Sequence, residues 1–213
     1  MHRSTAIVLG ILTTLALFGG TGCQSSGGDA GWIDLFNGKD TCGWINARPE
    51  QPMSWTVTDG LLTNAPEAGK RGVDIHSEQM FDDFELHAEF KLPENSNSGI
   101  YLRGRYEVQI NSHAGPLSQE SMGGVYSLHT PTALASHPWD QWQVFDIRLV
   151  GTTLTVVLNG KTILDQVDLP HATPGGTDRF KDTSKPGPIY IQGDHGVITF
   201  RAIRIRPIAP NAP

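Results

Sequence analysis

Between Asn97 and Asn111 the chain reads NSGIYLRGRYEVQIN, with apolar and polar positions alternating on either side of Gly104. Ile100, Leu102, Val108 and Ile110 form one set. Tyr101, Arg103, Glu107, Gln109 and Asn111 form the other, and Tyr106 can serve either. A period of two puts the sets on opposite faces of a strand pair. A two-residue turn at Gly104-Arg105 would set Leu102 against Glu107 and mix the faces. A three-residue turn, Arg103-Gly104-Arg105, pairs Tyr101 with Glu107 and Ile100 with Val108, so burial selects it. The predicted polar face carries Tyr101, Glu107 and Gln109, with Arg103 at its edge. An aromatic, a carboxylate, an amide and a guanidinium together suit a polar ligand such as a sugar.

The same period predicts most of the remaining elements. Phe84–Leu92 alternates between Phe84, Leu86, Ala88, Phe90, Leu92 and Glu85, His87, Glu89, Lys91, as a strand with one buried face does. Ser54–Thr58 and Leu61–Asn64 flank Asp59-Gly60, and Thr153–Leu158 and Lys161–Val167 flank Asn159-Gly160; both pairs read as hairpins. Gln143–Val150, Pro188–Gln192 and Val197–Ile205 add three strands. In the last, the buried phase moves from Ile198 and Phe200 to Ile203 and Ile205, which predicts a β-bulge near Arg201-Ala202. No segment sustains a helical period; Asp82-Asp83 and Leu117–Met122 suit single turns. Many short strands with Gly, Pro and Asn between them predict an all-β sandwich or barrel. Two long loops, Asn111–Gly123 and Leu169–Gly187, adjoin the polar strands and are of a length usually tied to function.

The ends read differently. His2 and Arg3 precede an apolar run, Ala6–Phe18, shorter than the roughly 20 residues of a membrane-spanning helix. Residues 1–23 therefore read as an export signal. Small residues directly before Cys23 resemble a bacterial lipoprotein processing site, with Gly20 where that motif prefers Leu; an ordinary signal peptide cut nearby is the alternative. Lipidation at Cys23 would anchor the protein, and Gln24 at the next position favours the outer membrane. It would also leave Cys42 as the only thiol and exclude an internal disulfide. Residues 24–30 read as a flexible tether, 31–206 as one domain, and 207–213 as a Pro-rich tail. A net charge of -6 with no basic patch argues against nucleic acid as partner.

Ordered motifs carry a family resemblance: GWIDLFNGKD (Gly31–Asp40) with Gly43-Trp44, WTVTDGLL (Trp55–Leu62), FDDFELHAEFKL (Phe81–Leu92) and NSGIYLRGRYEVQI (Asn97–Ile110). GGVY (Gly123–Tyr126), Trp142–Ile147, LNGK (Leu158–Lys161) and PIYIQGDHGVITFRAIRI (Pro188–Ile205) follow. In this order they resemble the 3-keto-disaccharide hydrolase domain, also described as a 3-keto-glucoside lyase/hydratase domain. The chain departs from it at Asn111, Gln143 and Phe200-Arg201-Ala202-Ile203. The resemblance implies an antiparallel β-sandwich of the concanavalin A-like jelly-roll type and a carbohydrate substrate. It also implies attack on sugars oxidised at C3: loss of the C2 proton, departure of the C1 substituent, and addition of water.

Such chemistry needs a base, a holder for the enolate oxygen and an acid. Glu107, mid-strand on the polar face, is the expected base. Arg103 is the expected enolate partner, and His195, in Gly193-Asp194-His195-Gly196, the proton relay. Tyr101, Gln109, Gln192 and Asp194 are expected to hold sugar hydroxyls, and Trp139 to stack on a ring. The step needs no cofactor, and no dinucleotide fingerprint is present. No HExxH or Cys/His cluster suggests zinc; calcium held by Asp and backbone oxygens is compatible with a jelly roll, though no Asp-rich loop declares it. His87 with Glu89 is either half a metal site or part of a solvated outer face. Two other functions stay open: a carbohydrate-binding domain without catalysis, and a two-carboxylate glycosidase, for which Glu107 has no evident partner.

Overall fold

The computed structural model describes residues 27–28, 31–67, 69–112, 115–175 and 178–209. The strands are β1 (Gly27–Gly28), β2 (Trp32–Asp34), β3 (Trp44–Asn46), β4 (Trp55–Thr58), β5 (Leu61–Asn64), β6 (Ile75–Ser77) and β7 (Phe84–Lys91). They continue as β8 (Asn97–Leu102), β9 (Tyr106–Asn111), β10 (Gln143–Val150), β11 (Thr153–Leu158), β12 (Lys161–Asp168), β13 (Tyr190–Ile191) and β14 (Ile198–Pro207). One 3-10 turn, Asp178–Phe180, interrupts the last long loop.

These strands make an antiparallel β-sandwich. One sheet is nine-stranded, in the order β1-β2-β14-β7-β10-β11-β12 with the β4–β5 hairpin attached to β14. The other is five-stranded, in the order β3-β6-β13-β8-β9. Alternation places Phe84, Leu86, Ala88 and Phe90 inward from β7. They join Phe145 and Ile147 of β10, Phe200 and Ile203 of β14, and Ile100, Val108 and Ile191 of the smaller sheet in one apolar core. Phe90 sits at its centre, 5.0 Å from Phe145 and 6.0 Å from Phe200 between ring centroids. Burying side chains of this size is worth roughly 1.5–3 kcal/mol each before the entropy of ordering them.

The expected bulge is present: Phe200 lies opposite Phe90, Ala202 opposite Glu89, and Arg201 is the extra residue. That inserted residue lets both Ile198 and Ile205 reach the core. The outer face of the larger sheet is a ladder of ion pairs. His87 Nδ1 lies 2.7 Å from Asp146 and Nε2 lies 3.3 Å from Glu89; Arg201 pairs with Glu89 and Arg206 with Glu85. The Asp146 contact raises the His87 pKa above the ordinary imidazole value. Among the described residues, no three His, Cys, Asp or Glu side chains converge as a metal site would require.

Several local expectations need correction. The sequence pattern missed β2, β3 and β6, which are three residues each, too short to display a period. Gly27 and Gly28, expected in a flexible tether, pair with Ile33 and Trp32. Pro207, expected to open the tail, ends β14, and Ile208 N–H donates to Asp83 O at 2.8 Å. Cys42 is disulfide-bonded, so it is not the lone thiol expected. The export signal and Cys23 lie outside the described residues.

The main correction concerns Arg103. The three-residue turn forms as expected, with Leu102 opposite Tyr106 and Tyr101 opposite Glu107. Arg103 takes a left-handed conformation (φ 52°), and its side chain runs away from the polar face. Only 3% exposed, it donates from Nε to Asp82 O (2.6 Å), from Nη1 to Gly151 O (2.9 Å) and from Nη2 to Asp83 Oδ1 (2.9 Å). The same Asp83 oxygen accepts from Gly151 N at 2.7 Å. Arg103 therefore fastens the β8–β9 turn to the larger sheet, away from the cleft, and is not placed to hold an enolate. Arg103→Ala is expected to cost about 3 kcal/mol, since it strands a carboxylate and two carbonyls. Denaturant unfolding measures that loss, and turnover per folded molecule should hardly change.

Candidate functional site

The outer face of the five-stranded sheet is organised in rows. Pairing aligns Ile45, His76, Tyr190, Tyr101 and Glu107 across all five strands. The next row holds Gly99 opposite Gln109, with Gln192 N–H donating to Gly99 O at 3.0 Å. Asn97 opposite Asn111 makes the third. A cleft of about 810 Å³ lies over these rows, lined by Asn97, Tyr101, Glu107, Gln109, Gln192 and His195 among others. Its volume suits a sugar of one or two rings.

Two long loops close over the cleft from the β9 side. Gly123 and Gly124 pair with the free edge of β9: Gly123 N–H donates to Gln109 O and Gln109 N–H to Gly124 O, both 2.8 Å. Tyr126 N–H continues the ladder to Glu107 O at 3.1 Å, which brings Tyr126 to the cleft wall. Asn111 Nδ2 holds Glu120 O at 3.0 Å, and Glu120 joins the lining. From the second loop, Thr173 bonds both neighbouring strand groups: its Oγ1 donates to Arg105 O and accepts from Glu107 N, each at 3.0 Å. That anchor delivers Pro174 and Gly175 to the rim.

Glu107 is the perturbed acid of the cleft. It is only 3% exposed, accepts a hydrogen bond from the Tyr101 hydroxyl, and has its pKa pushed up to about 7. Burial is the main cause, Tyr101 opposes it, and the charges of Asp74 and Asp194 add to it. Tyr101 itself is raised by burial and by the Glu107 charge, so it remains a donor. Room for the carboxylate comes from Gly99, where an added Cβ would lie 2.5 Å from Glu107 Oε1. Gly175 does the same for Tyr101, with a Cβ position 2.6 Å from the hydroxyl. Perturbed acids in clefts are the groups that serve proton transfer near neutrality.

The expected residues divide three ways. Tyr101, Glu107, Gln109, Gln192 and His195 come together on the cleft wall. Asp194 stands behind His195: its carboxylate meets His195 Nδ1 and lies 3.8 Å from Arg48 and 3.9 Å from Arg71. It is thus an orienting group, not the expected sugar contact. Trp139 and Arg103 lie elsewhere. Trp139 sits half-buried beside Asp140, whose N–H is bonded to Leu92 O after β7, and is not on the cleft wall. The pattern missed Asn95, Asn97, Glu120, Tyr126 and Pro174. Asn97 was readable, being in phase with Tyr101; Tyr126 and Glu120 arrive on loops, where no period exists.

The fold and site define a jelly-roll β-sandwich with a polar, sugar-sized cleft. Residues 31–206 match the family model described as the 3-keto-alpha-glucoside-1,2-lyase-like domain, and the chain belongs to that family. A curated relative from Bacteroides thetaiotaomicron, named 3-keto-disaccharide hydrolase, is 34% identical over 77 residues; that stretch is 33% of this chain and 27% of the relative. A solved structure described as a glycosyl hydrolase from Parabacteroides distasonis is 31% identical, with a TM-score of 0.70 and 84% of each chain covered. A second from the same organism, 19% identical, has a TM-score of 0.67 over 84% of this chain and 94% of that one, and shows the shared fold.

Burial of Glu107 has a stability signature. Its folded-state pKa of about 7 lies above the ordinary 4.5, so the folded state binds the proton more tightly than the unfolded chain. The contribution is complete below pH 4.5 and is lost as pH rises through about 7, up to about 3 kcal/mol. Glu107→Gln removes that titration. Relative to wild type, the variant should gain stability between pH 5 and pH 8; a gap independent of pH would show that Glu107 titrates normally.

Proposed function

We propose that the protein cleaves 3-keto-glycosides by proton abstraction and elimination, followed by addition of water, for a net hydrolysis. The observation that carries this reading is Glu107: a buried carboxylate, pushed up to about 7, fixed on a sugar-sized cleft in a chain of this family. A ketone at C3 acidifies the hydrogen on C2. Ionised Glu107 takes that proton, and the electron pair moves into the enolate. The enolate then collapses, forming the C1–C2 double bond and expelling the C1 oxygen. His195, oriented by Asp194, supplies the proton that the leaving oxygen takes. With Arg103 engaged elsewhere, the amide and hydroxyl donors of Gln109, Gln192 and Tyr126 are the groups available to the enolate oxygen. Water then adds its oxygen to C1 and gives a proton to His195, while Glu107 returns its proton to C2, which restores both groups.

Glu120 on the same cleft supports a second reading, a glycosidase that uses two carboxylates on unoxidised sugars. One assay separates these from simple binding. A chromogenic 3-keto-glucoside and its unoxidised parent are offered side by side. Release from the keto sugar alone, rising with pH through about 7 and reduced at least about 100-fold in Glu107→Gln, is the expected result. Release from the parent, lost in Glu120→Gln, would replace elimination with the glycosidase. Saturable sugar binding without release would leave a binding domain.

Export is part of the same proposal and rests on the signal-like start, His2 and Arg3 ahead of the apolar run Ala6–Phe18; with two cysteines in the chain, a lipid on Cys23 and a disulfide at Cys42 are alternatives. Attachment to the outer membrane through Cys23 is then tested by labelled palmitate. Incorporation that survives reduction and is lost in Cys23→Ser supports the anchor; a mature chain without lipid, extracted from the soluble periplasm, excludes it.

A further inference from the structure

Asp74, just ahead of β6, is 8% exposed and absent from the cleft wall, yet both its oxygens are spent on groups that lead there. Oδ2 accepts from the Tyr190 hydroxyl at 2.7 Å. Tyr190 packs edge-on against Tyr101 with ring centroids 5.4 Å apart, and Tyr101 donates to Glu107. Oδ1 accepts from Gly193 N at 2.8 Å, at the start of the turn that carries Asp194 and His195. The opposite side of Gly193 is held by Asn64, whose Nδ2 donates to Gly193 O at 2.6 Å and to Gly196 O at 2.7 Å. A Cβ on Gly193 would come within 2.1 Å of Val73 O, so the turn is pressed directly against the segment that carries Asp74.

We propose that Asp74 is the positioning residue that ties the two proton-handling groups of the cleft together, Glu107 through Tyr190 and Tyr101, and His195 through the backbone of Gly193. This rests on the reading of Glu107 as base and His195 as acid. A buried carboxylate is costly to keep in a small protein. A neutral amide would satisfy the Gly193 N–H equally well, so hydrogen bonding alone does not require an acid. Its charge adds to the raised pKa of Glu107, which makes the base stronger. The other ionisable groups facing Glu107 are Tyr101 on β8, Tyr190 on β13, and Asp194 with His195 in the turn after β13. Glu120 and Tyr126 face it from the loops, and Arg48 and Arg71 are paired to Asp194.

The test is Asp74→Asn in the full chain, with Asn64→Ala as a control that loosens the same turn without changing charge. Two readouts are taken: the pH midpoint of kcat/KM on the 3-keto-glucoside, and a titration of carboxyl-labelled glutamate that reports Glu107 without turnover. In Asp74→Asn both midpoints should move down by about half a unit to one unit, and in Asn64→Ala neither should. Should the amide variant not fold, Asp74→Ser removes the same charge and is titrated instead. An unchanged Glu107 midpoint in the charge-removing variant overturns the proposal and leaves Asp74 structural. If wild type shows no turnover, the proposed reaction fails, but the glutamate titration still decides whether Asp74 governs Glu107.

Discussion

The register between β8 and β9 decides which atoms of this protein meet water and which meet its core. With Tyr101 opposite Glu107, the phenol, the carboxylate and the Gln109 amide share the outer side, while Ile100, Val108 and Ile110 enter the sandwich. A slip of one residue would exchange the two sets. Glu107 would then face Phe and Ile side chains without a partner, at a cost of several kcal/mol for the charged form. The Arg103 turn guards that register from outside the cleft. Its three bonds, to Asp82, Asp83 and Gly151, hold the β8–β9 corner against the larger sheet. A residue expected to do chemistry therefore serves the site by holding the turn.

Much of the arrangement was legible because it follows from period. The alternation in Phe84–Lys91 and Gln143–Val150, the two hairpins at Asp59-Gly60 and Asn159-Gly160, and the bulge at Arg201 are local consequences of burial and turn chemistry. So was the Tyr101–Glu107 pair. Failures fell where position depends on contacts distant in sequence. Arg103 alternates with the polar set, but its partners come from residues 21 and 48 positions away. Trp139 looked available beside Pro138, yet its loop docks near the end of β7. Asp74 carries no periodic signal at all; its importance comes from Tyr190 and Gly193, more than a hundred residues later.

The site also illustrates how glycine creates chemistry by what it omits. Gly99 sits across from Gln109 in the centre of β8, where a side chain would ordinarily fill the sheet surface. Its bare Cα leaves the volume into which the Glu107 carboxylate leans. Strand glycines weaken a sheet, and they persist where something must approach the backbone closely. Here the approaching group is the protein's own acid. Flanked by Tyr101 and roofed by the Thr173 loop, that acid is desolvated enough to titrate near neutrality without becoming unreachable.

The two outer faces of the sandwich differ in how their polar groups are satisfied, and that difference locates function. On the larger sheet, acids and bases are matched: Glu85 with Arg206, Glu89 with Arg201, His87 with Asp146. On the smaller sheet, Oε1 of Gln109 and Oε1 of Gln192 are buried with no protein partner. Among the described residues, three other buried atoms share that condition: Tyr106 Oη, Arg105 Nη1 and Arg204 Nε. Tyr106 turns into the core, and both guanidiniums lie away from the cleft. Of these, the two glutamine oxygens belong to residues of the cleft wall, and they flank Gly99 of β8 in the row next to Glu107, Gln109 on β9 and Gln192 just after β13. An acceptor left open at that depth costs roughly 1–3 kcal/mol unless water or a ligand fills it. Hydroxyl groups of a sugar ring are donors of the right kind for both amide oxygens.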